Sequence, residues 1–222
     1  MSIYSLNYRI RSIDVDHRRR LKTSVLFSML QEAAIAHTEE LGMGRDKTLD
    51  KGLLWIITHQ RAEIKRMPEY GEDVILKSWP GDNMHLIFPR YFSMETASGE
   101  PLLKVSALWA LMDENTRTVA FPENHGIIID GVHTGGEIEL PSNVKPLLCT
   151  KSKEITVPYS FVDLNGHMNN TRYLDVAEDC ICEALESRDT YGLKKITENN
   201  SHVLDLRYRT RKTTRDKYRI RS

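Results

Sequence analysis

The chain has 222 residues, and its 31 Lys and Arg balance its 31 Asp and Glu, so the formal net charge is zero. That balance supplies no global pull toward nucleic acid or an anionic membrane, and the length suits one large domain or two small ones. No apolar run is long enough to span a bilayer, and Met1-Ser2-Ile3-Tyr4-Ser5-Leu6 lacks the basic and apolar regions of a secretory signal.

Tyr4 to Val15 alternates loosely and predicts a strand. A basic cluster follows: His17, Arg18, Arg19, Arg20 and Lys22. Thr23 or Ser24 can cap a helix that runs to about Leu41 and stops at Gly42. Its apolar positions Val25, Leu26, Met29, Leu30, Ala33, Ala34, His37 and Leu41 keep a helical period. Gln31, Glu32 and His37 are polar groups on or near that face. They read as satisfied core or rim residues, or as a polar lining for a pocket. Strands are then expected at Leu53 to Gln60, continuing with a bend through Ala62 to Arg66, and at Asp73 to Trp79, Ile87 to Glu95 and Leu102 to Met112. Short turns at Pro68 to Gly71, Pro80 to Asn83 and Ser98 to Pro101 separate them, the pattern of an antiparallel sheet. A helix followed by such a sheet predicts an α+β unit, with the sheet curled around the helix.

From Phe121 to Pro146, Pro and Gly punctuate the chain, and a linker with at most short elements is expected. After Thr150 the opening plan recurs. Ile155 to Val162 is extended, a turn follows, and a helix is predicted from about Thr171 to Ser187 with Tyr173, Leu174, Ala177, Cys180, Ile181, Ala184 and Leu185 on its apolar face. Strand, turn and helix thus appear twice, about 150 residues apart, with Asp14-Val15-Asp16 near the place of Asp163-Leu164-Asn165. Cys149, Cys180 and Cys182 match no zinc or redox spacing and read as reduced thiols in a cytoplasmic protein.

The second turn carries chemistry. Asp163, Asn165 and His167 put a carboxylate, an amide and an imidazole within five positions. An imidazole passes protons near neutral pH, a carboxylate orients water or acts as a base, and an amide can donate to a developing oxyanion. In an extended chain Asp163 and Asn165 share a face, and a bend at Gly166 could bring His167 round to them. The alternative is a turn with polar cappers and a solvated histidine.

The order Asp-x-Asn-Gly-His-x-Asn-Asn-x-x-Tyr-Leu, from Asp163 to Leu174, resembles the signature of the acyl–acyl carrier protein thioesterases. Ile13-Asp14-Val15-Asp16, Leu30-Gln31-Glu32-Ala33-Ala34, Gly52-Leu53-Leu54-Trp55, Pro68-Glu69-Tyr70-Gly71-Glu72 and Ser78-Trp79-Pro80 are similar to the first half of that family. The resemblance implies tandem hotdog units, each a long helix wrapped by a curved antiparallel sheet. Residues 1–121 would form the first unit with an acyl-chain channel, 122–150 a linker, and 151–222 a catalytic second unit. It implies hydrolysis of fatty acyl–acyl carrier protein thioesters, releasing free fatty acids and terminating fatty acid synthesis. Asp163, Asn165 and His167 would be catalytic, water the second substrate, and no metal or organic cofactor is implied.

Two departures stand out. The family has an acidic residue, often followed by cysteine, on the strand after the second helix, and Arg211 and Lys212 align with those two positions. Only 35 residues follow Ser187, room for about two strands at a mean of 5–6 residues each, so the second unit is expected to be incomplete and C-terminally truncated. A short second unit could recruit a partner chain as a homodimer. Acyl carrier proteins are acidic, and Arg18, Arg19, Arg20 and Lys22 could steer one electrostatically; solvated loop residues are the alternative. The rival readings are an acyl-CoA thioesterase and a non-catalytic acyl- or carrier-binding protein. Nothing in the sequence fixes acyl chain length.

Overall fold

The computed structural model describes residues 2–143, 152–186, 202–207 and 217–221. Its order is β1 (Tyr4–Arg9), α1 (Thr23–Glu40), β2 (Leu53–Ile64), β3 (Asp73–Pro80), β4 (Phe88–Thr96), β5 (Pro101–Asp113), β6 (Ser152–Thr156), α2 (Arg172–Glu186), β7 (His202–Arg207) and β8 (Lys217–Arg221). The first six-stranded sheet runs β1-β3-β4-β5-β2-β7, with every pairing antiparallel, and β6 pairs with β8.

Helix α1 buries Leu26, Phe27, Leu30, Ala33, Ala34 and His37, the 3- and 4-residue spacing of one helical face. That face meets alternate residues of the sheet, among them Ala62, Leu76, Phe92, Met94 and Val105, which form one cluster with it. The register explains the match: Phe92 lies opposite both Ser78 and Val105, and Val105 opposite Ala62. A long helix against a curved antiparallel sheet is the hotdog arrangement expected from the sequence. Strand β2 continues through Gln60 to Ile64 in regular register, and its irregularity falls earlier than the expected bend, between Ile57 and His59.

Three boundaries differ. The first strand stops at Arg9 rather than Val15, and a 3-10 turn covers Ser12–Asp14. The cause is Asp14: its buried carboxylate accepts from the Arg11 backbone N–H at 2.9 Å and the Tyr8 hydroxyl at 2.8 Å, which folds the chain back. A matching 3-10 turn at Tyr159–Phe161 interrupts the predicted extended run to Val162. Helix α1 begins without a side-chain cap, so neither Thr23 nor Ser24 does the capping expected of it. Along α2, Leu174 is buried as predicted, whereas Ile181 is 39% exposed.

The segment after β5 crosses the outer face of the sheet. The Trp79 indole Nε1 donates to Glu137, the Ser106 hydroxyl to the Glu139 carbonyl, and the Val132 N–H to the Pro80 carbonyl. Beyond the 3-10 turn Pro122–His125 its described residues form no regular element, in keeping with its Pro and Gly content.

One cation lies inside the core. Arg90 on β4 is 5% exposed and donates to His37 Nδ1 at 3.1 Å, Ser78 Oγ at 3.0 Å and Thr38 Oγ1 at 3.2 Å. Among the described residues no carboxylate pairs with it. It sits against the last turn of α1, where the helix dipole places negative field. His37 is fully buried and stacks on Tyr4. Burial, with the adjacent Arg90 charge, lowers its pKa to about 4, so the imidazole is neutral and accepts from Arg90.

The unfolded chain takes up a proton on His37 near pH 6.5, and the folded chain only near pH 4. The stability this represents is complete above pH 6.5 and is lost as the pH falls toward 4. Unfolding free energy from urea titrations should drop by about 2 kcal/mol more between pH 7 and pH 5 in the unmodified chain than in His37→Gln.

Candidate active site

The turn that precedes α2 is closed by its first residue. Asp163 Oδ1 accepts from the Asn165 N–H at 2.9 Å and lies 3.5 Å from the His167 nitrogen. The Asp163 N–H donates to the His167 carbonyl, and the Gly166 N–H to the Asp163 carbonyl. Val162 and Met168 bridge its two ends, and Gly166 takes φ +72° at its tip. Asp163 is half-buried, whereas Asn165 and His167 are exposed. The structure therefore brings the three residues onto one five-residue loop. What joins them is the carboxylate's grip on the backbone; among the described residues no hydrogen bond runs from one of the three side chains to another. Asn169 acts as the cap, its Oδ1 accepting from the Thr171 N–H at 2.9 Å and hydroxyl at 2.7 Å. The Arg172 guanidinium lies over the Phe161 ring, 5.6 Å from its centroid.

The turn before α1 is built the same way, residue for residue. Asp16 Oδ1 accepts from the N–H groups of Arg18 at 2.8 Å and Arg20 at 3.0 Å. The Asp16 N–H donates to the Arg20 carbonyl and the Arg19 N–H to the Asp16 carbonyl. Val15 and Leu21 bridge the ends, and Arg19 takes φ +65° at the tip. The Lys22 N–H reaches back to the Asp14 carbonyl, as the Asn169 N–H does to that of Phe161. The counterpart of Asp163 is therefore Asp16, two places beyond the alignment the sequence suggested. Arg18 stands where Asn165 does, Arg20 where His167 does, and Arg19 where Gly166 does.

The two units face each other through their helices and one strand pair. Ser28 Oγ donates to Thr171 Oγ1 at 3.1 Å, and Thr23 of α1 lies beside Glu178 of α2. These contacts run antiparallel. Strand β7 pairs with β2, with His59 opposite Arg207 and Gln60 opposite Leu206. The correspondence that carries Asp16 to Asp163 carries His59 to Leu206 and Gln60 to Arg207, so it exchanges those two pairs. It likewise places the centre of the helix contact near Leu26 and Tyr173. Both interfaces obey one pseudo-twofold relation. Sequence reading missed Ser28, Thr171 and Glu178; the second helix start, aligned on Asp16 and Asp163, carries the signal for them.

Arg211 and Lys212, where the family's acidic residue was sought, lie outside the described residues. Of the cysteines, Cys180 is half-buried and Cys182 exposed, both free thiols. Among the described residues no cluster of His, Cys, Asp and Glu could hold a metal ion, and no helix is long and apolar enough to cross a membrane.

A helix packed on an antiparallel sheet, a second turn and helix related to the first by a pseudo-twofold, and an Asp-x-Asn-x-His sequence in that second turn define a double-hotdog protein of the thioesterase type. The chain belongs to the acyl-ACP thioesterase family: the family's N-terminal domain model matches residues 2–124 and its C-terminal domain model residues 145–206. It is 24% identical over 207 residues to a chloroplastic acyl-(acyl-carrier-protein) hydrolase of Cuphea viscosissima, and 25% identical over 216 residues to the palmitoyl-acyl carrier protein thioesterase of Gossypium hirsutum. Each match covers 86% of this chain and 50% of the relative, so the chain spans half the length of these relatives. Among solved structures, an acyl-ACP thioesterase from Bacteroides thetaiotaomicron matches with a TM-score of 0.68 and 25% identity, over 80% of this chain and 73% of that one. The 12:0-ACP thioesterase from Umbellularia californica shares the fold, with a TM-score of 0.63, 22% identity, and coverage of 78% and 72%.

The paired turns give opposite expectations for their tips. Gly166 is open to solvent on its Cβ side, so Gly166→Ala meets only the left-handed backbone and should destabilise by about 1 kcal/mol. Arg19→Gly removes the same strain and should stabilise by a similar amount. Denaturant midpoints of the two variants check both.

Proposed function

We propose that this chain hydrolyses fatty acyl–acyl carrier protein thioesters at the Asp163 turn. The observation that carries the reading is the comparison of the two turns. The first closes the same hydrogen-bonded ring with Arg18 and Arg20, so the fold requires the aspartate and a left-handed tip but neither Asn165 nor His167. An amide and an imidazole that folding does not need, both exposed beside a half-buried carboxylate, suit chemistry on a bound substrate. The family membership supplies the substrate class.

In this reading Asp163 orients the attacking water or the imidazole. His167 takes the water's proton and returns it to the departing thiolate, and Asn165 orients His167 or holds the tetrahedral oxyanion. A backbone N–H at the start of α2 adds a donor to that oxyanion. Exposed Leu164 and Tyr159, 81% and 95% accessible, offer apolar surface beside the turn. The first unit, taken as residues 1–121, supplies the acyl channel, 122–150 the linker, and 151–222 the catalytic unit. The carrier protein is steered by Arg18, Arg19, Arg20 and Lys22. A cytoplasmic setting belongs to the same reading, supported by the free thiols of Cys180 and Cys182.

The test is hydrolysis of a series of acyl–acyl carrier protein thioesters by the full chain, with acyl-CoA esters alongside. Asp163→Asn and His167→Ala should each lower kcat at least a hundredfold, within the range of general acid–base catalysis. Asp16→Asn should keep kcat. Full turnover in both second-turn variants would remove the assignment.

A further inference from the structure

A chain of hydrogen bonds with a fixed direction ties the cap of α2 to the first unit. Asn169 Oδ1 accepts the Thr171 N–H at 2.9 Å and the Thr171 hydroxyl at 2.7 Å. Two donors converging on one atom identify it as the amide oxygen, which only accepts. The single hydroxyl proton of Thr171 therefore lies toward Asn169, and Thr171 Oγ1 accepts from Ser28 Oγ of α1 at 3.1 Å. Ser28 shares its own proton with the Ser24 carbonyl at 2.9 Å. Thr171 is 2% exposed, so solvent does not replace these partners. Asn169 is also the joint between turn and helix. Its N–H donates to the Phe161 carbonyl at 2.8 Å, and it stands two residues after His167.

The first unit lacks such a chain. Under the correspondence of Asp16 with Asp163, Lys22 matches Asn169, Ser24 matches Thr171, and Asp175 matches Ser28. Lys22 provides no side-chain cap for α1, and the buried Ser24 hydroxyl finds no partner among the described residues. Asp175 pairs with Arg172 of its own helix at 2.9 Å. The first turn nonetheless closes and leads into α1, so turn and helix form without the chain. It is built only where the turn carries Asn165 and His167. We propose that Ser28 is a positioning residue of the second-unit site: through Thr171 and Asn169 it fixes the end of the turn, and with it His167, against the start of α2. The donor belongs to one unit and the cap to the other, so docking of the two units completes the geometry of the site. This inference rests on the catalytic reading of the turn for its effect on turnover, and on the hydrogen bonds themselves for its placement.

Placement and consequence have separate readouts. In the full chain, the Thr171 amide should exchange its hydrogen about fivefold faster in Ser28→Ala than in the unmodified protein, the effect of losing one neutral hydrogen bond. Ser28→Thr should restore the slow rate. Ser106→Ala removes another buried hydroxyl, the one bonded to the Glu139 carbonyl, and should leave Thr171 exchange unmoved. Equal exchange in Ser28→Ala and the unmodified protein would overturn the placement, whether or not the protein turns over substrate. With acyl–acyl carrier protein as substrate, Ser28→Ala should lower kcat about fivefold with KM within about twofold. Ser28→Thr should recover kcat, and adding Ser28→Ala to Thr171→Val should lower it no further, because the chain is already broken. An equal fall of kcat in Ser106→Ala would make the effect one of general stability and overturn the proposal. If Asp163→Asn abolishes turnover while Ser28→Ala keeps full kcat, this inference fails and the catalytic reading stands. If Asp163→Asn turns over at full rate, the catalytic reading fails, and hydrogen exchange alone decides whether Ser28 holds the cap.

Discussion

One carboxylate accepting backbone N–H groups two and four residues ahead holds each half of this protein in shape. Asp16 and Asp163 each close a five-residue ring whose exit aims the chain into a helix. Ionised acceptors make hydrogen bonds about twice as strong as neutral ones, which suits a turn that must fix a helix's entry with few contacts of its own. Helix α1 then places Ser28 and Thr23 against α2, and the helix pair sets which face of each turn meets the other unit. The geometry of the site is thus inherited from the turn, and the identity of the side chains on it is left free. That freedom is visible: the same ring carries arginines in one unit and an amide and an imidazole in the other.

The core beneath α1 obeys a different constraint. A guanidinium that is almost fully buried is held by neutral groups and by the C-terminal end of a helix. Protonating His37 would place a second cation against the first, with no carboxylate among the described residues to offset it. The register of β4 against β3 fixes Arg90 near Ser78, and the helix supplies Thr38, so helix and sheet are locked by polar contacts at one end and by Leu26, Phe27 and Leu30 along the rest. Burying a charge this way is costly on its own, and the contribution to stability depends on every donor finding an acceptor.

Much of the first unit was legible in the sequence because its signals are local. The α1 stripe, the Gly42 stop and the hairpin at Ser98 to Pro101 all follow from spacing or turn residues within a short window. The turn that gathers Asp163, Asn165 and His167 was legible for the same reason. What could not be read is what depends on distance. The early end of β1 comes from the Asp14 carboxylate folding the chain back, a contact that no periodicity reports. His37 fits a helical apolar stripe, but its partner Arg90 is more than fifty positions away, so nothing local marks it as a buried acceptor. The true partner of Asp163 was two residues from the apparent one, because Asp14 and Asp16 both look like it in sequence and only Asp16 closes a ring.

The pairing of β7 with β2 also bears on how the chain is made. Strand β2 ends at Ile64 and its outer partner begins at His202, so during synthesis its free edge waits for about 140 residues, roughly 7–28 s at ordinary elongation rates. An unpaired edge of this length is a template for the wrong neighbour. The nascent first unit is therefore most vulnerable to edge-to-edge association with another growing copy during that interval, and a ribosome-bound chaperone would have its largest effect there.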